Sequence, residues 1–332
     1  MTSVMDKDII KQITKIQRDI LSPSSCTCLC PDCNNTTINS HLLQRHGILD
    51  NLAENGHMFE LKAKSFYDPT SIDGTFKFHK IGINNAISWP IFCNHHDTVL
   101  FKEIESRKTI DCCDYRTQLL LSYRAVCAEI RKKQMGIRLH SQTIERIPMS
   151  LMQSHILKTS IEGLKRGIED FLVYKTKLEE ELNYPTNKFV FRHFSYPKLS
   201  IYASAVFGYI QYEDYREKVL SERPWENIFF HIIPQQKTTE IIIGYFSEYV
   251  NQDIIQLISE WGNLDYETMG LKITDILVNH VEDWGLSPSL YKSIPEYKKQ
   301  KLLKTYEQNI LFHESSLKAG FNLFNDNSAK NE

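Results

Sequence analysis

The chain has 332 residues, 42% of them hydrophobic, and a formal net charge of −2 at pH 7. That is enough apolar material for a sizeable core and enough length for two domains. The near-neutral balance excludes a general attraction for nucleic acid, so any such contact needs a local patch. The opening MTSVMDKDIIKQITKIQRDI is charged and amphipathic, without an apolar h-region or a small-residue cleavage site, so no signal peptide is expected. No stretch approaches the roughly 18 to 20 apolar residues of a membrane span. Eight cysteines without a secretory signal point to metal ligation and buried thiols rather than a disulfide framework, with the cytoplasm as the expected location and no membrane partner.

In chain order, Ile9, Ile10, Ile13, Ile16 and Ile20 recur at helical spacing and end at Leu21-Ser22-Pro23, which predicts a lead-in helix within residues 1–25. From Cys26 the pattern breaks into short apolar runs punctuated by the turn signals Asn55-Gly56 and Asp73-Gly74. A loop-rich module of short strands is expected over 26–110. Residues 111–185 read as helical, with one long helix from about Tyr115 to Lys133 and a second ending in the charged run Lys175 to Leu182, expected to be a solvated face. Four β-branched and aromatic runs between Phe189 and Phe246 predict an antiparallel sheet. Ile254 to Leu311 returns to helical spacing, with Ser287-Pro288-Ser289 as a helix start. The expected fold class is α+β, with a mixed sheet-and-helix domain over 186–325 and a polar tail over 326–332.

The strongest chemical signal is Cys26, Cys28, Cys30 and Cys33, answered by Cys93-Asn-His95-His96-Asp97. Thiolates and imidazole are the ligands that tetrahedral zinc takes without redox side chemistry. The first knuckle has two spacings, Cys30-Pro-Asp-Cys33 or Cys28 with Cys33; Cys26 ranks last of the four. The second half is Cys93 with His96, since His95 and His96 are adjacent and point in different directions. The candidate ligands are therefore Cys28, Cys30, Cys33, Cys93 and His96, binding a structural Zn²⁺. A knuckle, strands, and a ligand pair on the first turn of a helix make a treble-clef-like layout.

The order of Cys knuckle, polar-His (Asn39-Ser40-His41), then Cys93-x-x-His96 followed by Asp97 and a helix resembles the HNH, or ββα-metal, nuclease group over about residues 26 to 105. Ser40-His41 and Phe92-Cys93-x-x-His96-Asp97 ahead of Leu100-Phe101-x-x-Ile104-Glu105 also resemble a bacterial group that brings no known activity. The nuclease resemblance implies phosphodiester hydrolysis, with His41 as general base, Asp97 as ligand to a catalytic Mg²⁺ or Mn²⁺, and Asn84 or Asn85 as the orienting residue. It further implies a nucleic-acid partner, DNA in the first instance, and a bacterial antiviral defence role. Ser40 departs from that pattern, standing where the group has an acidic residue. A structural or zinc-binding His41 is the rival reading.

Arg131, Lys132 and Lys133, with Arg107-Lys108, Tyr123-Arg124 and Arg138, follow the module in sequence and form the candidate phosphate-contacting stripe. An ordinary helix surface is the alternative. The competing function is a non-catalytic zinc-containing interaction or sensor protein that binds a protein partner or a second copy of itself.

Overall fold

A computed structural model describes residues 7–63, 76–105, 109–209, 223–312 and 319–324. The Asp73-Gly74 turn, the Arg107-Lys108 pair and the polar tail lie outside these residues. The lead-in helix α1 spans Lys7–Leu21, and Ile13, Ile16 and Ile20 form its buried stripe. Short strands β1 (Asn39–His41) and β4 (Ser88–Pro90) pair antiparallel and are followed by helix α2 (Asn94–Glu105). Between them β2 (His57–Ala63) and β3 (Phe76–Gly82) form a second antiparallel pair. Asn55 and Gly56 both adopt positive φ, 51° and 71°, in the two-residue turn that leads into β2, the conformation that Asn-Gly tolerates best.

The long helices α3 (Tyr115–Arg146) and α4 (Leu151–Asn183) are joined by four residues. Each start is capped by a side chain: Asp114 accepts the Thr117 N–H, and Ser150 and Gln153 form a reciprocal capping box. The strand runs become β5 (Phe189–Pro197), β6 (Ile201–Gly208), β7 (Asn227–Pro234) and β8 (Thr238–Phe246). The C-terminal helices are α5 (Gln252–Ser259), α6 (Tyr266–Asn279), α7 (Pro288–Ser293) and α8 (Glu296–Phe312), with Ser287 capping α7 as its Ser-Pro signal predicts.

A three-residue strand inside the region read as helical, β9 (Trp284–Leu286), pairs with both β2 and β6. It joins all the longer strands into one seven-stranded antiparallel sheet of order β3-β2-β9-β6-β7-β8-β5. The boundary drawn at residue 110 therefore does not separate two sheets. Alternate side chains serve opposite faces: Phe229, Ile233, Ile242 and Phe246 pack toward α3 and α4, while Ile228, Phe230, Ile241 and Ile243 pack toward Trp261, Met269 and Ile273. Both faces are covered, which is why β7 and β8 read as near-continuous apolar runs. The fold is α+β as expected, with the sheet between two helical layers.

The run at the end of α4 is not uniformly solvated. Glu181 is buried, accepting from the Tyr115 hydroxyl and both the N–H and hydroxyl of Thr186, and Lys175 is buried in an ion pair with Glu179. These polar groups close the α4 end against α3 and the start of β5.

His231, fully buried on β7, sits between the Ser204 and Ser122 hydroxyls, and burial pushes its pKa down to about 3. The unfolded state therefore binds a proton near pH 6.5 that the native state refuses. Stability should fall by about 1.4 kcal/mol per pH unit as pH drops below 6.5. Urea melts of wild type and His231→Gln between pH 4 and 7 measure this; the variant should lack that part of the slope.

Candidate metal centre and the pair beside it

The first knuckle folds as a tight reversal. Thr27 bridges Thr36, the Cys28 N–H donates to the Asn35 carbonyl, and Asp32 turns the chain at φ 57°. Two further backbone bonds, Leu29 N–H to Ile91 and Ile38 N–H to Phe92, stitch this loop to the segment just before Cys93. Cys93 and His96 then lie one turn apart at the start of α2.

These constraints bring Cys28, Cys33, Cys93 and His96 together, with one ligand atom from each lying within 4.8 Å of all the others. His96 Nδ1 is 3.5 Å from Cys28 Sγ and 3.4 Å from Cys93 Sγ, and Cys33 Sγ is 3.9 Å from Cys93 Sγ. The sulfurs are too far apart for a disulfide, and all are free thiols. Burial pushes the Cys28 thiol up. At Cys93 burial has the same tendency, but the His96 backbone N–H and the neighbouring thiols outweigh it and bring that thiol down. This set can hold a metal ion.

Of the two spacings, the wider one forms the cluster. Cys30, grouped with the ligands on sequence grounds, is outside it: burial pushes its thiol up to about 12, and its electrostatic neighbours include Lys175 and Glu179 of α4. Its thiol neighbours Cys28 but is not among the four convergent ligand atoms. Cys26 is buried near the Arg138 guanidinium, and His95 is exposed.

His41 closes β1, and its Nε2 donates to the Ile83 carbonyl at 3.1 Å. An acceptor-only partner fixes the tautomer, leaving the lone pair on Nδ1. Burial lowers the imidazole pKa and the Arg124 charge adds to this, against the opposing Ile83 bond, so the ring is neutral at physiological pH. Asp97, on the first turn of α2, is near enough to exchange charge effects with His41. Burial raises its carboxyl, opposed by Arg124 and by the Ser40 hydroxyl. Ser40 thus supports the pair from behind, while its hydroxyl also accepts the Phe92 N–H.

Asn84, the residue the resemblance offers for orienting the base, is not the hydrogen-bond partner of His41. It is exposed on the short helical turn Ile83–Asn85, and the backbone carbonyl of Ile83 does the orienting. The residue that sequence reasoning misplaced is Arg124. It is 1% exposed, stacked 3.8 Å over Phe101, bonded to Glu105 at 2.6 Å and 3.9 Å from Asp97 Oδ1. Its spacing from Leu120, Cys127 and Arg131 along α3 places it on the buried face, a signal the sequence carries.

The expected basic stripe is internal. The Arg131 guanidinium bonds the Thr27 carbonyl, Lys132 lies among Glu129, Glu282 and Asp283, and Lys133 pairs with Glu129 and covers Phe171. Lys132 and Lys133 are thus paired with carboxylates and Arg131 is buried on a backbone carbonyl, so the three do not present an open basic stripe. No family model, curated protein or solved structure matches the chain. Fold and site together define an α+β protein with a Cys₃His cluster at the start of α2, and no described helix is long and apolar enough to cross a membrane.

Metal content measured on the purified full chain should separate the two spacings. Cys28→Ser should lose the bound ion, and Cys30→Ser should keep about one per chain, the occupancy of a closed four-ligand site. Lys132→Ala, which removes the cation bonded to buried Asp283 and leaves it only the more distant Lys62 charge, should destabilise the fold by about 3 to 5 kcal/mol in urea titration.

Proposed function

We propose that the Cys₃His cluster holds a structural Zn²⁺ and that the unit around it is a metal-dependent nuclease of HNH-like type. Zinc with bonds of about 2.3 Å to sulfur and 2.05 Å to nitrogen gives tetrahedral edges of about 3.8 Å between sulfurs and 3.6 Å between sulfur and nitrogen. Three of the six separations among these ligands, 3.4 to 3.9 Å, lie close to those edges, and all six are within 4.8 Å. Three thiolates with one imidazole leave no open position, so the ion's part is to fix the first turn of α2 against the knuckle.

The observation that carries the nuclease reading is the pairing of His41, with Nδ1 free of the Ile83 bond, and Asp97, whose buried Oδ1 has no hydrogen-bond donor. His41 Nδ1 would take a proton from water as its oxygen attacks phosphorus and the phosphodiester bond breaks. Asp97 Oδ1 is the oxygen that would hold a Mg²⁺ or Mn²⁺, and such an ion when bound neutralises charge on the leaving oxygen. The strand pair β1–β4 followed by α2 supplies the two strands and helix of the resemblance. A role in bacterial antiviral defence, in the cytoplasm, belongs to the same proposal.

A second reading, a zinc-containing interaction or sensor protein without catalysis, is favoured by Arg124. Its guanidinium puts a fixed positive charge beside Asp97 and Glu105, where a nuclease would place its divalent ion. Incubation of supercoiled plasmid with the full chain in Mg²⁺ or Mn²⁺ decides between them. Wild type should nick, and His41→Ala should be slower by about 100-fold or more. Equal nicking by both would remove His41 from the mechanism; no nicking by a fully zinc-loaded wild type would leave the second reading.

A further inference from the structure

At the opposite end of the sheet from β3, the loop that leads into α3 meets the edge strand β5. Cys113 is exposed there, and its Sγ lies 3.3 Å from His193 Nδ1. His193 Nε2 is 2.6 Å from Glu240 Oε2 on the paired strand β8. The other oxygen of Glu240 accepts from the Ser195 and Thr238 hydroxyls. Burial pushes this carboxyl up, but hydrogen bonds from His193, Thr238 and Ser195 more than reverse it and hold it below the ordinary carboxylate range. An ionised carboxylate only accepts, so Nε2 carries the ring proton and Nδ1 offers its lone pair to the thiol. The loop is itself held: the Cys113 N–H donates to Asp111 Oδ1 at 2.9 Å, and Asp114 caps α3 immediately afterwards.

We propose that Cys113, His193 and Glu240 form a second, thiol-based site that accepts an acyl group from an activated ester or thioester. Nucleophile, base and orienting acid stand in sequence, each within hydrogen-bond reach of the next. The two imidazole nitrogens face opposite ways, one to the thiol and one to the carboxylate, so the three side chains share no point at which an ion would sit. A disulfide is not their purpose either. The neighbouring Cys112 is buried, its thiol is pushed up to about 12 by burial and then by Glu240, and bridging adjacent residues would strain the chain.

In the acyl step the thiol proton moves to His193 Nδ1 and a bond forms between Cys113 Sγ and the acyl carbon. The bond from that carbon to the leaving oxygen or sulfur breaks, and the imidazolium returns the proton to the leaving group. In the second step the imidazole takes a proton from water, the water oxygen bonds the acyl carbon, and the carbon–sulfur bond breaks as the imidazolium returns that proton to Cys113 Sγ, releasing the carboxylic acid and regenerating the thiol. No oxidant, reductant or metal enters. The site lies on elements that neither the Cys₃His cluster nor the His41–Asp97 pair uses, so it stands or falls independently of them.

The probe is p-nitrophenyl acetate with the full chain at pH 7. Wild type should show a burst of p-nitrophenolate and one acetyl group on Cys113 by peptide mass spectrometry, and Cys113→Ser should lose both. His193→Gln, with an unchanged melting temperature, should slow the burst by about 100-fold. If that variant does not fold, the wild-type rate is compared with N-acetylcysteine, and Cys113 should react at least about 10-fold faster. An absent acetyl group, a rate unchanged in His193→Gln, or a rate equal to N-acetylcysteine would each overturn the proposal and leave Cys113 an ordinary exposed thiol.

Discussion

A line of charges, buried at Glu60 and Asp283 and open to solvent at Glu282, sets the relation of the layers to one another. Lys132 of α3 bonds Glu129 on its own helix and Glu282 and Asp283 just ahead of β9. Asp283 also accepts the Trp89 indole N–H from β4 at 2.9 Å, and its charge acts on Lys62 of β2. Lys62 pairs with Glu60, which accepts the Tyr202 hydroxyl of β6 at 2.7 Å and the Ile87 N–H at 2.6 Å. Helix, hairpin and sheet are thus tied by groups that would each be costly to bury alone. Hydrophobic contact is tolerant of small slips; a charge that must meet its partner is not. Asp283 is accordingly held below the usual carboxylate range, its desolvation outweighed by Lys132 and Lys62.

This explains how β9, only three residues long, can join two halves of a sheet. Its central residue is Gly285, where a Cβ would come within 2.3 Å of the Tyr202 hydroxyl and 2.7 Å of the Phe59 carbonyl. Glycine lets the Tyr202 side chain cross β9 to reach Glu60, so the backbone pairing and the polar bond are built together. Both then fix the approach of β2, and with it the β1–β4 pair that carries His41. The Cys₃His cluster does not have to hold the N-terminal third together unaided.

Much of this was legible in the residues. The isoleucine stripe of α1, the Asn55-Gly56 turn, the Ser287-Pro288 helix start and the four long strands all follow from local spacing and turn chemistry. The partner knuckle Cys93–His96 did too, because a ligand pair on a first helical turn has one spacing. The choice of Cys28 over Cys30 did not, since it depends on a left-handed residue at Asp32 and on backbone bonds to Ile91 and Phe92, distant in sequence. The larger misreading was of charge. Arg124, Arg131 and Lys132 look like a solvated helix surface when each is taken as a cation, and their partners lie far off in sequence: the Thr27 carbonyl for Arg131, and Glu282, 150 residues away, for Lys132. Only the seven-residue interval between Arg124 and Arg131, in phase with Leu120 and Cys127, hints that they face inward.

Helix α3 is where these strands of chemistry meet. Its N-terminal approach carries Cys113, its third turn carries Arg124, and about two turns later Lys132 enters the charge line. Arg124 reaches Asp97, and Asp97 directly follows His96. The first turn of α2 is therefore held from two sides, by its ligand pair against the knuckle and by a guanidinium from α3. The Cys₃His set and the guanidinium are separate constraints on that turn: the first bears on where Asp97 sits, the second, with Ser40, on its charge.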